Sequence, residues 1–93
     1  MVVPCAVRVE AGWDRSHPGA AAINRFRVAD VALDAAHADL AAAIVIRDRV
    51  SVADAHVGAA VASAGWRDVV VLTSDPDDMV RVCAPTSIRA VRI

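Results

Sequence analysis

The sequence predicts an α/β protein: a three-layer α/β/α sandwich built on a mainly parallel sheet. Three observations lead there. Short β-branched runs alternate with stretches of helical periodicity, the order expected when parallel strands are joined by crossover helices. One run, Val69-Val70-Val71-Leu72, is continuously apolar, the mark of a strand buried on both faces. Finally, the chain is 57% hydrophobic but only 3% aromatic, so Ala and Val must fill the space between closely packed layers.

The elements follow in order. Val2-Val3 is an extended lead-in, and Pro4 stands where the first turn of a helix tolerates proline. Ala6, Val9 and Trp13 recur at near-helical spacing from Cys5, and Gly12 stops the helix. Ser16-His17-Pro18 opens a second helix with an apolar stripe of Ala21, Ala22, Ile23 and Phe26. Val28 to Leu33 alternates enough for a strand. Asp34 caps a helix running to about Ile46, with Leu33, His37, Leu40 and Ile44 on one side, and Arg47 to Val52 reads as a loop. Asp54 begins a helix that buries Val57, Ala60, Val61 and Ala64 and ends at Gly65. After the Val69–Leu72 strand, Thr73 to Asp78 form a loop and cap, a short helix reaches Cys83, and Ile88, Ala90, Val91 and Ile93 make the last strand. With 93 residues and no linker or repeat, residues 1–93 are expected to form a single domain.

Composition excludes several classes. Aliphatic richness excludes a disordered chain, and charge interrupts every long apolar stretch, so neither a membrane span nor a signal peptide is expected. Cys5 and Cys83 are too far apart to form a ligand pair and read as small core fillers, reduced in a cytoplasmic protein. The net charge of −1 is uninformative about nucleic acid, but all ten basic residues are arginine. Guanidinium forks match phosphate geometry; a GC-rich codon bias explains the same count.

The chemistry-bearing residues are acidic. Ligand sites of parallel α/β sheets lie beyond the carboxyl ends of the strands, where Asp75 follows the VVVLT strand, with Asp77 and Asp78 entering the next helix. Asp54 heads a helix, and Glu10 interrupts an apolar one. Taken singly, Asp54, Asp77 and Asp78 are adequately explained as helix caps and Glu10 as a solvated group. Together, carboxylates around one cleft repel unless cations bind, and hard Mg²⁺ or Mn²⁺ ions take oxygen ligands. His17, His37 and His56 fall on different elements, so no zinc site is expected. His56 points about 200° away from Asp54 on a helix, and all three histidines read as structural or surface groups.

Ala53-Asp54-Ala55-His56-Val57, followed by Val71-Leu72-Thr73-Ser74-Asp75-Pro76-Asp77-Asp78-Met79, resembles the latter half of PIN domains, most closely VapC-like toxins of type II toxin–antitoxin pairs. Val9-Glu10 upstream and Arg81-Val82-Cys83 with the terminal strand downstream extend the likeness over roughly Val2 to Ile93. The resemblance implies an endoribonuclease dependent on Mg²⁺ or Mn²⁺ that cuts RNA, with Glu10, Asp54 and Asp75 as catalytic, metal-holding acids and Asp77 as a fourth ligand. It also implies a homodimer and an antitoxin partner that blocks the cleft. Arg8, Arg15 and Arg47 are arginines that would position RNA. Family members begin with a strand ending in an aspartate; Met1 stands nine residues before Glu10, so the chain is expected to be N-terminally truncated, without that strand and its acid. The rival expectation is a non-catalytic interaction module that binds an antitoxin or a second copy of the chain.

Overall fold

A computed structural model describes residues 1–93. It is an α/β structure with five helices and two pairs of parallel strands. Strand β1 (Val2–Pro4) leads into α1 (Cys5–Ala11), closed by Gly12 in the left-handed region at φ 66. The second helix is shorter than its apolar stripe suggests. A 3₁₀ turn at Pro18–Ala20, with His17 Nδ1 accepting the Gly19 N–H, runs into a single turn, α2 (Ala21–Asn24). Strand β2 spans Ala29–Val31, and α3 covers Ala35–Asp48 behind an Asp34 cap. Helix α4 (Val52–Ala64) is capped by Ser51 and ends at Gly65, φ 65. Strand β3 (Val69–Thr73), α5 (Pro76–Cys83) and β4 (Ile88–Arg92) complete the chain.

Arg47 and Asp48 belong to α3 rather than to the expected loop. The helix continues because Arg47 has work at its end: its guanidinium donates to the carbonyls of Arg81 (3.1 Å), Val82 (3.3 Å) and Ala84 (3.2 Å) at the C-terminus of α5. Those carbonyls lie at a helix end, where the regular i+4 donors are missing.

The strands do not form one sheet. β1 pairs with β2, in register from Val2 with Ala29 to Pro4 with Val31, and β3 pairs with β4, from Val69 with Ile88 to Thr73 with Arg92. The core lies on one side of the second pair, where α3, α4 and α5 meet around Ala41, Ile44, Ala55, Ala59, Val61, Met79, Val82 and Cys83. Val69, Val71, Ile88 and Ala90 pack against it. Side chains alternate across a strand, so Val70 and Leu72 take the other face, where they are 45% and 54% exposed. The apolar run therefore does not mark a strand buried on both faces: nothing in the chain covers its second side.

Helix α4 occupies the centre, touching α1, α3, α5 and β1. Its buried set is Ala53, Ala55, His56, Gly58, Ala59, Ala60 and Val61, wider than the single stripe read from the sequence; Val57 is half-buried and Ala64 exposed. A helix hemmed in on most sides must be narrow, which accounts for its alanines and its mid-helix glycine.

Candidate functional site

The acidic residues gather where the N-termini of α4 and α5 and the C-terminal turn of α1 lie on one side. Glu10 is exposed in the last turn of α1. Asp54 is half-buried and is not the first residue of its helix. Ser51 is the cap, its Oγ accepting the Asp54 N–H at 3.1 Å, which places Asp54 in the first turn with its carboxyl group free of the capping task. Asp75 is the cap of α5: its Oδ1 accepts the Asp78 N–H at 3.4 Å, while its own N–H donates to Thr73 Oγ1 at 3.0 Å. Thr73 thus fixes the Asp75 backbone rather than its carboxylate.

Electrostatics tie these groups together. Desolvation, then the charge of Glu10, then that of Asp75 raise the Asp54 carboxyl above its ordinary value of 3.8, against a hydrogen bond from Ser51 that lowers it. Asp78 is raised as well, first by its hydrogen bond with Asp75, then by desolvation and the charges of Asp75 and Asp54, with Arg81 opposing; Arg81 Nη2 stands 2.7 Å from Asp78 Oδ1. Asp78, not Asp77, joins Glu10, Asp54 and Asp75. Asp77 is exposed and perturbs neither Asp54 nor Asp78. The three-residue step from Asp75 to Asp78, first residue to cap partner, is the sequence signal that distinguishes the two.

The cluster repels itself without closing into a cage. No three of the chain's His, Cys, Asp and Glu side chains converge closely enough to hold a metal ion by themselves. A shallow cavity of about 340 Å³ adjoins the cluster, its walls including Val9, Glu10, Leu33, Val52 and Ala53. One consequence is measurable. An acid whose folded pKa is raised weakens the folded state once ionised, at pH values above that pKa, and the cost disappears below the ordinary carboxylate value. Asp54→Asn is therefore expected to raise the melting temperature at neutral pH in metal-free buffer. The gain should fade as the pH falls through the raised pKa, and an Asn variant less stable than wild type at neutral pH would contradict the clustering.

The arginines assigned to RNA are otherwise engaged. Arg8 and Arg15 both pair with Asp30 at 3.0 Å and flank the Trp13 ring, their guanidinium carbons 5.5 and 4.4 Å from its centroid. Arg15 also reaches the Val28 carbonyl at 2.6 Å and Arg8 the Trp13 carbonyl. With Arg47 closing α5, all three hold the fold together. Spacing could not reveal the contacts that cross between elements, Arg8 and Arg15 with Asp30 and Arg47 with the α5 carbonyls, although Arg47 also pairs with the adjacent Asp48 at 2.6 Å. Arg25, Arg27, Arg49, Arg67 and Arg89 are exposed, with no side-chain hydrogen bond or ion pair.

The histidines are structural, as their positions suggested. His37 Nδ1 lies 2.8 Å from Asp34 Oδ1 and Nε2 lies 3.0 Å from Ser63 Oγ, linking α3 to α4. Carboxylate, imidazole and hydroxyl stand in the order of a hydrolase triad, but Ser63 occupies the last turn of α4, where the free backbone groups are carbonyls. No N–H awaits an oxyanion there, and the chain of contacts is a clamp between helices. His56 is fully buried, its ring edge-on to His37 with centroids 5.7 Å apart. Burial raises the Cys83 thiol to about 11, which makes it an inert filler; Cys5 is half-buried and also free. No helix is long and apolar enough to cross a membrane. No family model, curated protein or solved structure matches the chain.

Proposed function

We propose that the acidic surface formed by α1, α4 and α5 belongs to a PIN-like, metal-dependent endoribonuclease of the VapC toxin type. The supporting observation is the half-buried Asp54 beside Glu10 and Asp75: desolvation, then the charges of Glu10 and Asp75, raise its carboxyl. A carboxylate crowded by like charges is relieved by a hard cation, and Mg²⁺ is commonly bound through one or two carboxylates, water and substrate phosphates rather than by an all-protein cage. The open arrangement does not supply a complete ligand set. The proposal therefore gives these residues the recruitment of Mg²⁺ or Mn²⁺ together with RNA, and assigns no hydrolytic step. Such an ion, once held with substrate, would stabilise charge on a phosphodiester. The exposed, unpaired arginines, rather than Arg8, Arg15 and Arg47, are the groups left to meet phosphate. The finer architecture that goes with this reading is a three-layer α/β/α sandwich in a cytoplasmic toxin that pairs with itself and is blocked by an antitoxin.

A second reading is favoured by the incomplete ligand set and the uncovered face of the β3–β4 pair: a non-catalytic PIN-like module that binds an antitoxin or another copy of the chain. Cleavage of RNA separates the two. The purified chain is incubated with single-stranded RNA and Mn²⁺, with and without EDTA, beside Asp75→Ala and Asp54→Asn. The nuclease reading expects cleavage that EDTA abolishes and that each substitution reduces on the order of 100-fold or more. Cleavage indifferent to EDTA and to both substitutions removes the metal-nuclease proposal. A folded chain that never cleaves supports the module.

A further inference from the structure

Hydrogen bonds at the ends of the two strand pairs show which backbone groups are open. The Met1 carbonyl accepts the Ala29 N–H at 3.0 Å, and the Thr73 carbonyl accepts the Ile93 N–H at 3.0 Å. Along a parallel strand the residues turn their N–H and C=O alternately to one side and the other. Val3 therefore bonds to β2, and the N–H and C=O of Val2 lie on the opposite edge of β1. Pro4, next on that edge, has no N–H to offer, so pairing along it stops there. By the same alternation Val69, Val71 and Thr73 bond to β4, while Val70 and Leu72 turn their backbone groups away from it. Each strand pairs with one neighbour only, so these groups have no partner strand.

The two open edges border one groove. Val2 and Val70 both line a cavity of about 350 Å³, whose walls also include Met1 and Trp66. Helix α4 packs against β1, and Val69 and Val71 pack against the core that α4 shares with α3 and α5. Both strand pairs thus rest on one helical layer, with the groove between them. Backbone chemistry dictates what fits there. Each edge presents donors and acceptors in alternation, and an extended main chain is the group that answers both edges at once. The side chains it turns toward the helices would meet alanines and valines, so they must be aliphatic. The surface has room for such a segment. A folded monomer of 9.7 kDa is expected to expose about 5,100 Å²; this chain exposes 6132 Å². The difference, about 1,000 Å², is on the scale of the roughly 800 Å² that one partner buries in a stable complex.

We infer that the groove between β1 and β3 is a docking slot for an extended, aliphatic peptide segment of a partner protein. The segment pairs with Val2 on one side and with Val70 and Leu72 on the other. It thereby joins the two strand pairs into one sheet of five strands, with the segment in the middle. The inference rests on backbone geometry and uses none of the acidic residues, so it stands or falls apart from the nuclease reading.

The test uses the full chain and a synthetic peptide, KTVVVVTK, beside KTVPVPTK, whose prolines remove the donors a central strand needs. The first is expected to bind below about 1 mM and the second at least 10-fold more weakly. Amide exchange followed by NMR should slow at least 10-fold at Val2, Val70 and Leu72 when KTVVVVTK is added. Val70→Pro, which deletes a slot donor and no bond to β4, should weaken the peptide at least 10-fold with the far-UV circular dichroism unchanged. Failure of KTVVVVTK to bind up to about 1 mM overturns the inference, as does equal binding of the two peptides. Protection that appears at Ala90 and Arg92, on the outer edge of β4, in place of Val70 and Leu72 also overturns it. So does a chain of doubled mass in which the slot amides are already protected without peptide, because the occupant is then a second copy.

Discussion

Gly58→Ala is expected to lower the stability of the folded chain by about 3 kcal/mol. In an exposed helix the same substitution would add about 1 kcal/mol of stability. At position 58 the sign reverses, because the new Cβ would overlap the Val82 carbonyl oxygen and stand 2.8 Å from Ile44 Cδ1. Ile44 can shift its terminal methyl group, but the Val82 carbonyl is backbone, and the same carbonyl row is held by Arg47. The methyl group must push α5 away from α4, and Met79, Val82 and Cys83, all buried at that contact, lose packing with it. Overpacking in a close helix crossing costs about 3 kcal/mol, a large share of the roughly 5–15 kcal/mol that holds a domain together. Urea unfolding followed by circular dichroism should show the midpoint collapse. Gly65→Ala provides the contrast: its Cβ meets nothing, so the left-handed φ of 65 leaves only a cost of about 1 kcal/mol. Equal effects at the two sites would show that α4 and α5 do not approach backbone to backbone.

Mild acid is expected to destabilise the chain through His56. The ring is completely buried, and Nδ1 accepts the Ala6 N–H at 3.3 Å, so in the neutral ring the hydrogen resides on Nε2. That atom has no hydrogen-bond partner. Burial lowers the His56 pKa from the ordinary 6.5; the Ala32 carbonyl and the charge of Asp34 raise it, and His37 lowers it, without reversing the direction. When a base has a lower pKa folded than unfolded, the unfolded chain takes up the proton first. The stability from neutral His56 is present in full above pH 6.5 and is lost as the pH falls from there through the folded pKa. The favourably placed carboxylates of Asp30, Asp34 and Asp48, lowered chiefly by Arg15, the His37 N–H and Arg47 respectively, lose their contribution only below the ordinary 3.8, so the two windows are separate. Denaturation midpoints between about pH 7 and pH 5 should fall for the wild type. His56→Gln, which keeps an acceptor for the Ala6 N–H and cannot titrate there, should show no fall across that range, since the raised carboxyls of Asp54 and Asp78 act in the opposite direction. A wild-type midpoint that is flat over the same interval would place His56 in contact with solvent. His56→Ala, which empties the site as well, should cost about 3 kcal/mol at any pH.

Local signals located most of the elements because their causes are local. Asp34 before an alanine-rich run and Gly12 and Gly65 at helix ends act through backbone a few residues away, and the structure has each of them in that role, whereas α5 begins at Pro76, inside the expected loop. Where the reading drifted, the deciding contact was remote. Helix α3 runs on through Arg47 because carbonyls of α5 receive its guanidinium. Asp54 is displaced from the cap by Ser51, a substitution visible in sequence only as the three-residue step between them. Arg8 and Arg15 are withdrawn from any RNA role by Asp30 and Trp13, which no spacing rule connects.

The acidic residues show the same division. Their identity and their nearness to helix starts were readable, since Asp and Glu at such positions are favoured by the unpaired N–H groups. That Glu10 and Asp75 bear on Asp54, that Asp78 replaces Asp77 in the group, and that the group stays open rather than forming a cage depend on how α1, α4 and α5 are set against each other. The sequence by itself determined the alternation of strands and helices, the caps and the acidic character of one end. Only the tertiary structure decided that the strands form two pairs, that one face of β3 is left bare, and which carboxylates share a charge. Hydrogen-bonding partners and hydrophobic periods specify an element's conformation and its apolar side. What meets that side is set by the packing of the whole chain.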